Sequence, residues 1–221
     1  MINLPIEGVV FDVDGVLFDT ERLMHKVWLE VSAQMGWPQV GEDYLEYVGN
    51  GRSVIYEKML SFYGPNFPKE EFLSTCSQTL QARMERDGVP LKPGVRELFT
   101  FLRQRGIPMA IATSTAMVRT ARRMEMTGLT PYLTAMITGD QVTRGKPDPE
   151  IFLLACQALG TAPTRTLAVE DSRNGILSAT AAGMPTVMVP DMIAPTPELE
   201  QLLWKRCASL EQLHQQLESI L

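Results

Sequence analysis

Two aspartates, Asp12 and Asp14, end an apolar run near the start of the chain. The run Val9–Phe11 is bounded by a turn signal, which is typical of a buried strand. Residues two apart in a strand share a face, so the two carboxylates would repel each other unless a cation or a shared proton lay between them. Gly15 would let the backbone turn sharply and approach a bound group. The pattern therefore favours a catalytic acidic pair.

Two structural alternatives fit these residues less well. An acidic turn or helix cap needs only one carboxylate and would not follow a fully buried strand. A calcium loop places its glycine sixth, whereas Gly15 is fourth when Asp12 is counted as the first position, and the ligand positions hold Val16, Leu17 and Phe18.

A second apolar run, Thr166–Val169, also ends in acid, at Glu170 and Asp171. In an open α/β sheet, ligands bind outside the carboxyl ends of the strands. Four carboxylates meeting there require a hard cation with oxygen ligands, and no His or Cys set is available to hold zinc. Mg²⁺ suits such a site, because it takes one or two carboxylates together with waters and substrate phosphate.

Polar residues also follow the strand predicted before Thr113. Thr113 and Ser114 lie where a strand turns into a helix, so hydroxyls and free backbone N–H groups could cradle a phosphate there. The alternative is that Ser114 only caps a helix beginning at Thr115, and taken alone the pattern favours this cap.

Lys146 lies between Gly145 and Pro147, directly before Asp148, which we assign to helix capping. The lysine could reach back over the strand ends as a point charge, or it could be a solvated loop residue.

Other polar residues are interpreted without a catalytic role. His25 and His214 lie in helical patterns with no acid or nucleophile at a useful spacing. The group Arg119, Arg122 and Arg123 is interpreted as a solvated helix face.

Helices and strands that alternate after Pro93 must position these residues. The predicted order is helix (Gly94–Arg105), strand (Ile107–Ala112), helix (Thr115–Met126), strand (Ala135–Thr138), helix (Pro149–Leu159), strand (Thr166–Val169), helix (Arg173–Ala182) and strand (Thr186–Val189), with short helices near Pro197–Trp204 and Leu210–Leu221. This alternation predicts an α/β fold, in which a Rossmann-like parallel sheet joined by the first strand has helices on both faces.

The segment between Glu21 and Arg86 contains no convincing strand. One helix begins at Asp19 or Thr20 and ends at Gly36 and Pro38, and others cover Val54–Phe62 and the residues from Pro68 to Met84. We predict an α/β catalytic core formed by residues 1–16 and 90–221, with residues 17–89 as an inserted α-helical cap domain.

Composition narrows the class of protein. The chain has 221 residues, 45% of them hydrophobic, and a formal net charge of −6, which argues against a nucleic-acid surface. The three cysteines have no metal-ligand spacing and indicate reduced, packed thiols. No signal peptide or bilayer-spanning stretch is apparent. We therefore expect a cytoplasmic protein, monomeric or a small homo-oligomer, without membrane or nucleic-acid partners.

These motifs together resemble those of the haloacid dehalogenase-like hydrolases. The matching residues are Asp12-Val13-Asp14-Gly15, Thr113, Gly145-Lys146-Pro147 and Glu170-Asp171, in the order and sheet positions of that family, and the helical insert resembles its cap. The similarity is greatest to the branch of β-phosphoglucomutase and small-molecule phosphatases.

The resemblance implies a role for each catalytic residue. Asp12 would be the nucleophile that forms an aspartyl-phosphate, and Asp14 would protonate the leaving oxygen and then activate water. Thr113 and Lys146 would hold the phosphoryl oxygens. Asp14 also favours phosphate chemistry, because the carbon–halogen hydrolases of the family lack this acid.

The resemblance also implies ligands for the metal and the substrate. Mg²⁺ would bind the carboxylates of Asp12 and Asp171 and the backbone carbonyl of Asp14, with Glu170 acting through water. The residues expected to bind substrate are Gly15, Asn50, Arg52 and Ser114.

The sequence departs from the mutase pattern at three positions. Met24 stands where β-phosphoglucomutase has a histidine, and Ala116 and Met117 replace its lysine and asparagine. We therefore expect a Mg²⁺-dependent phosphatase acting on a small soluble phosphomonoester of the sugar or nucleoside phosphate type. The alternatives are a phosphomutase and a non-catalytic binding protein on the same fold.

Overall fold

The computed structural model describes residues 5–221, apart from the side chain of Arg52. The described residues form a six-stranded sheet in the order β3-β2-β1-β4-β5-β6, and every neighbouring pair is parallel. The strands are β1 (Gly8–Phe11), β2 (Met109–Thr113), β3 (Ala135–Thr138), β4 (Thr166–Glu170), β5 (Thr186–Met188) and β6 (Lys205–Arg206). This arrangement confirms the predicted α/β fold with a Rossmann-like parallel sheet.

Ten α-helices lie within the same described residues. They are α1 (Thr20–Gln34), α2 (Pro38–Glu42), α3 (Arg52–Tyr63), α4 (Lys69–Asp87), α5 (Val95–Gln104), α6 (Met117–Thr127), α7 (Glu150–Leu159), α8 (Arg173–Ala181), α9 (Pro197–Glu200) and α10 (Leu210–Glu218). Residues on β1, β2 and β4 are buried and pack against α7 and α8, including Phe152 and Ala179. Continuous apolar strands of this kind are expected where helices cover a parallel sheet.

The chain divides into two compact units. The first contains the residues up to Asp19 together with Leu91–Leu221, and the second is Thr20–Pro90. No strand occurs in the second unit, all of whose backbone is described, and its helices are α1 to α4.

Aromatic packing centred on Trp28 of α1 holds the second unit together. The Trp28 ring lies 5.0 Å from Tyr44, 5.1 Å from Tyr47 and 5.0 Å from Phe72, measured between ring centroids. Such aromatic pairs stabilise a core beyond the area that they bury. This packed cluster therefore explains how the helices of the second unit form a compact structure.

The segment that leaves the first unit and the segment that returns to it lie side by side. Phe18, on the outgoing segment, forms an antiparallel bridge with Leu91 on the returning one, and the N–H of Lys92 donates to the carbonyl of Leu17 at 2.9 Å. Lys92 Nζ also lies 2.5 Å from a carboxylate oxygen of Asp191. The outgoing and returning segments are therefore joined within the first unit.

The secondary structure departs from expectation in two places. The helix predicted over Pro197–Trp204 is only α9, and Lys205–Arg206 instead pairs with β5 as the sheet's last strand. Pro38 does not only terminate a helix; it begins α2, where its fixed φ is tolerated in the first turn.

The three cysteines, Cys76, Cys156 and Cys207, are free and buried, as predicted. Among the described residues, no helix combines the length and apolar character that crossing a membrane requires.

Candidate active site

The strand register brings three site positions into one row. Phe11 pairs with Ile111 on one side and with Val169 on the other. One residue further along, Asp12 therefore lies between Ala112 of β2 and Glu170 of β4. This row explains how a single side chain can contact all three strands at the carboxyl edge.

Lys146 is the side chain that makes these contacts. Its Nζ donates to Asp12 Oδ1 at 2.6 Å, to Glu170 Oε1 at 2.5 Å and to the carbonyl of Ala112 at 2.9 Å. An ammonium has three donors, so all of them are used. The Lys146 side chain is only 5% exposed. It is therefore not a solvated loop lysine but a buried cation that joins two carboxylates.

Glu170 is fully buried and both of its oxygens are engaged. While Oε1 meets Lys146, Oε2 accepts the N–H of Asp171 at 3.0 Å, and the N–H and hydroxyl of Ser172, each at 3.1 Å. The same hydroxyl caps α8 by accepting the N–H of Gly175. Glu170 thus connects Lys146 to the beginning of α8, where a helix N-terminus favours negative charge.

Two glycines permit these close approaches. Gly15 has a φ of +87°, and a Cβ there would lie 2.2 Å from Asp171 Oδ2. A Cβ on Gly175 would lie 1.7 Å from Glu170 Oε1. The sequence argument identified Gly15 and missed Gly175. A glycine within the first turn of a helix, where it is a poor helix former, was the available signal.

Asp12, Glu170 and Asp171 form a carboxylate group that could hold a metal ion. Each offers one oxygen, and the three oxygens lie within 4.8 Å of one another. The donor set is all oxygen and negatively charged, which fits a hard cation such as Mg²⁺. A divalent ion would also reduce the repulsion among the three carboxylates, of which only Asp12 and Glu170 contact the Lys146 ammonium.

Burial and the neighbouring charges shift the pKa values of Asp12 and Lys146. Burial raises the pKa of Asp12 to about 8, although the Lys146 ammonium opposes this effect. Burial alone would lower the pKa of Lys146, but the carboxylates of Asp12 and Glu170 outweigh it and raise that pKa above its ordinary value. A further positive charge beside Asp12 would favour its ionised form.

The Asp14 carboxylate is held by a different set of residues. Its Oδ1 accepts a hydrogen bond from Arg123 at 2.7 Å, and its Oδ2 accepts one from the hydroxyl of Thr115, also at 2.7 Å. The side chain of Asp14 is thus outside the three-carboxylate group, and its predicted contribution to the metal site is its backbone carbonyl.

The interpretation of the three arginines as one solvated face is wrong for Arg123. Arg123 is buried at 8% exposure, and it lies on the inward face of α6 with Thr120, Met124 and Thr127. These positions follow the helical spacing of three and four residues, which was the signal for an inward arginine. Arg122, with a side chain 60% exposed, does face solvent.

Thr113 and Ser114 occupy different environments after β2. Thr113 is buried, and its hydroxyl oxygen accepts the N–H of Thr115 at 3.2 Å. Ser114 is exposed. Both residues precede α6, whose first residue is Met117.

The prediction that Ser114 caps a helix beginning at Thr115 is wrong. The N–H of Met117 instead donates to the carboxylate of Asp140, at 3.0 Å to Oδ1. Hydrogen bonds from the Thr138 hydroxyl and the Met117 N–H hold the pKa of Asp140 below its ordinary value. The assignment of Asp148 to capping is confirmed, because its Oδ1 accepts the N–H of Glu150 at the beginning of α7.

Two predicted substrate contacts lie in the helical unit. The Asn50 side-chain amide donates to the carbonyls of Glu46 and Val48 in its own turn. Arg52 begins α3, and its side chain lies outside the described residues.

Comparisons with known proteins agree with the family resemblance of these motifs. Residues 6–183 match the haloacid dehalogenase-like hydrolase family. A phosphorylated carbohydrates phosphatase of Thermotoga maritima is 34% identical over 187 residues, or 81% of this chain and 82% of that protein. Hexitol phosphatase A of Escherichia coli K12 is 32% identical over 196 residues, or 89% of this chain and 88% of that protein.

A solved structure agrees over nearly the whole chain. A mutant of CbbY from Rhodobacter sphaeroides, in complex with xylulose-(1,5)bisphosphate, has a TM-score of 0.78 and 27% sequence identity. The match covers 94% of this chain and 96% of that one. The resemblance drawn from the motifs is thereby confirmed: this chain belongs to the haloacid dehalogenase-like hydrolases.

Proposed function

We propose that the protein is a Mg²⁺-dependent phosphatase that hydrolyses a small soluble phosphomonoester through an aspartyl-phosphate on Asp12. The observation that carries the proposal is the Lys146 ammonium, buried between Asp12 and Glu170 at the carboxyl edge of the sheet. Phosphoryl transfer depends mainly on positioning and on neutralising charge, and a cation fixed beside a carboxylate nucleophile does both.

Asp12 is the proposed nucleophile because, among the described residues, a protein donor contacts only one of its two carboxylate oxygens. Lys146 contacts Oδ1, and the backbone N–H of Asp12 donates to the carbonyl of Val169 at 2.9 Å. The backbone bond fixes the residue at the strand end, and Lys146 orients the side chain. Oδ2 is then the oxygen proposed to attack phosphorus.

Asp12, Asp171 and the backbone carbonyl of Asp14 would hold Mg²⁺, with Glu170 acting through water. The bound ion would supply charge neutralisation for the phosphoryl group. Glu170 suits an indirect role because Lys146 and the beginning of α8 already engage both of its oxygens.

Thr113 and Lys146 are proposed to bind the phosphoryl oxygens, Lys146 by exchanging one of its three protein acceptors for the substrate. The backbone of Gly15 and the exposed Ser114 are proposed to assist them. Asp14 would give a proton to the leaving oxygen and later take one from the attacking water. Asn50 and Arg52 remain proposed substrate contacts on the resemblance alone.

The names of two relatives support phosphorylated sugars and polyols as the proposed substrate class. The two similar phosphatases are named for phosphorylated carbohydrates and hexitols. A mutase would need donors for a second phosphate, and Ala116 and Met117 provide no side-chain donor at the positions where β-phosphoglucomutase has them. Hydrolysis is therefore favoured over phosphoryl return to the sugar.

A phosphate-release assay tests the proposal. The purified protein with Mg²⁺ is incubated with a panel of sugar, polyol and nucleoside monophosphates, each with and without a catalytic amount of sugar bisphosphate. We expect phosphate release that is independent of bisphosphate. Isomer formation that outpaces phosphate release would support the mutase, and no turnover of any kind would support a binding protein.

A further inference from the structure

Arg123 is a buried cation outside the cluster around Lys146. Its guanidinium donates from Nη1 to Asp14 Oδ1 at 2.7 Å, and the side chain is 10% exposed. Removing an arginine from water is costly unless a charged partner and good hydrogen-bond geometry offset the loss. The pairing with Asp14 is therefore a strong local constraint on where that carboxylate lies.

Thr115 completes this constraint from the same chain segment. Its hydroxyl donates to Asp14 Oδ2 at 2.7 Å, while its N–H donates to the Thr113 hydroxyl at 3.2 Å. These two partners of Asp14 thus follow β2, one in the turn and one in the second turn of α6. The same segment carries the proposed phosphate ligand Thr113, so the acid–base group and that ligand are positioned together.

We propose that Arg123 is a positioning residue that holds the Asp14 carboxyl group in place for proton transfer. This inference rests on the proposed phosphatase function. In the first half-reaction, an Asp12 oxygen bonds to phosphorus and the bond from phosphorus to the leaving oxygen breaks. The leaving oxygen keeps that electron pair and takes the proton from Asp14, so the alcohol departs neutral.

The second half-reaction returns the enzyme to its starting state. Water attacks phosphorus and gives a proton to the Asp14 carboxylate. The bond from phosphorus to Asp12 breaks and its electron pair returns to Asp12, which releases phosphate. Asp14 ends protonated, as it began, and no other reactant is needed.

Arg123 and Thr115 suit both of these states of Asp14. Arg123 can donate to Oδ1 whether the carboxyl group is ionised or protonated, because an arginine is only a donor and that oxygen remains an acceptor. The Thr115 hydroxyl can likewise donate to Oδ2 in both states, because a protonated oxygen keeps an acceptor lone pair, and the proton on Oδ2 can then point toward the leaving oxygen. The carboxyl group can therefore keep its position while its proton is lost and regained.

Leaving-group dependence separates positioning from a merely structural role. An aryl phosphate such as 4-nitrophenyl phosphate releases a stable phenolate, which needs little help from an acid. A sugar 6-phosphate releases an alkoxide, which needs the proton from Asp14. General acid catalysis contributes about 10²–10⁴-fold, so the loss on the alkyl substrate should be of that order.

The experiment compares Arg123→Gln with wild-type protein, both with Mg²⁺, by measuring kcat/KM on the two substrates. We expect kcat/KM to fall about 100-fold for the sugar phosphate and less than about fivefold for the aryl phosphate. Arg123→Lys, which keeps one donor for Oδ1, should recover part of the loss. Arg122→Gln is the matched control on the exposed face of α6 and should leave both values unchanged.

A double-mutant cycle with Asp14→Asn provides the second readout. If Arg123 acts through Asp14, Arg123→Gln should cost little more once Asp14 is already replaced. Equal losses on the two substrates, or fully additive losses in the cycle, would overturn the inference. If Arg123→Gln does not fold, as judged by thermal unfolding, the same substrate-dependent loss must appear in Arg123→Lys. A wild-type protein that hydrolyses neither substrate would instead overturn the proposed function.

Discussion

Gly175 lies so close to Glu170 that a methyl group added to the glycine would be 1.7 Å from Glu170 Oε1. The glycine is in the first turn of α8, and the carboxylate that it admits receives the Lys146 ammonium at 2.5 Å. A backbone feature of one helix thus decides where the buried cation of the site can lie.

Gly175→Ala should therefore damage the site more than the helix. Alanine is the better helix former, but Glu170 would have to move and Lys146 would lose a partner. We expect kcat to fall at least about 100-fold, because small misplacements of reacting groups have effects of that size. Steady-state kinetics with far-UV circular dichroism tests this. Wild-type turnover in Gly175→Ala would show that the placement of Glu170 is not important for catalysis.

Asp12→Asn should abolish turnover and leave the fold intact. A neutral amide is a far poorer nucleophile than a carboxylate, and phosphate monoesters hydrolyse extremely slowly without catalysis. We expect less than about one thousandth of the wild-type rate. Asp140→Asn, which changes an exposed carboxylate that caps α6, is a matched control and should retain turnover. Substantial activity in Asp12→Asn would contradict a covalent intermediate on Asp12.

Mg²⁺ affinity should increase with pH up to about 8, the raised pKa of Asp12. Burial raises this pKa, so below it the metal-free protein keeps Asp12 protonated and the ion must displace a proton. The affinity should therefore rise about tenfold per pH unit in the acidic range and level off above the pKa. Isothermal titration calorimetry at several pH values below and above 8 measures how the Mg²⁺ affinity changes with pH. Asp12→Asn should flatten it, and a pH-independent affinity in the wild-type protein would exclude Asp12 as the titrating ligand.

Cys76 should resist alkylation in the folded protein even at mildly alkaline pH. Burial raises the pKa of its thiol to about 12, and the thiolate is the reactive form. Since the folded pKa exceeds the unfolded one, the contribution to stability is present below the unfolded pKa and is lost as the pH rises toward 12. Mass spectrometry after iodoacetamide treatment at pH 8, with and without denaturant, measures the protection. Rapid labelling without denaturant would show that Cys76 is accessible.

The position of the main site was predictable because strand ends in a parallel sheet meet at one edge. Asp12 and Glu170 are far apart in the chain, yet the order of apolar runs was enough to bring them together, whereas Lys146 was assigned to the site only through the family resemblance. The hydrogen bonds of Glu170 to the beginning of α8 were not predictable, since they depend on how closely a helix approaches a strand. In the sequence, only Gly175 indicated that the helix and the strand come so close.

Arg123 shows a different limit of prediction. Three arginines within five positions suggest a charged face when counted, but the helical period turns Arg123 about 100° away from Arg122, onto the face of Thr120 and Thr127. The hydrophobic neighbours that would have identified its face are few, because α6 buries two threonines, Thr120 and Thr127, beside it. Strand β6 was also missed, since its two residues, Lys205 and Arg206, are charged and exposed and show no apolar alternation.

The bridge between Phe18 and Leu91 affects how this architecture can change over evolution. Because the outgoing and returning segments are already joined there, the whole stretch Thr20–Pro90 is one loop with its ends held together. The entropy of closing a flexible loop grows slowly with its length, by about 0.6 kcal/mol for each doubling. Helices could thus be gained, lost or exchanged in that stretch at little cost to the sheet, so a lineage can alter its helical unit while Asp12, Lys146 and Glu170 stay in place.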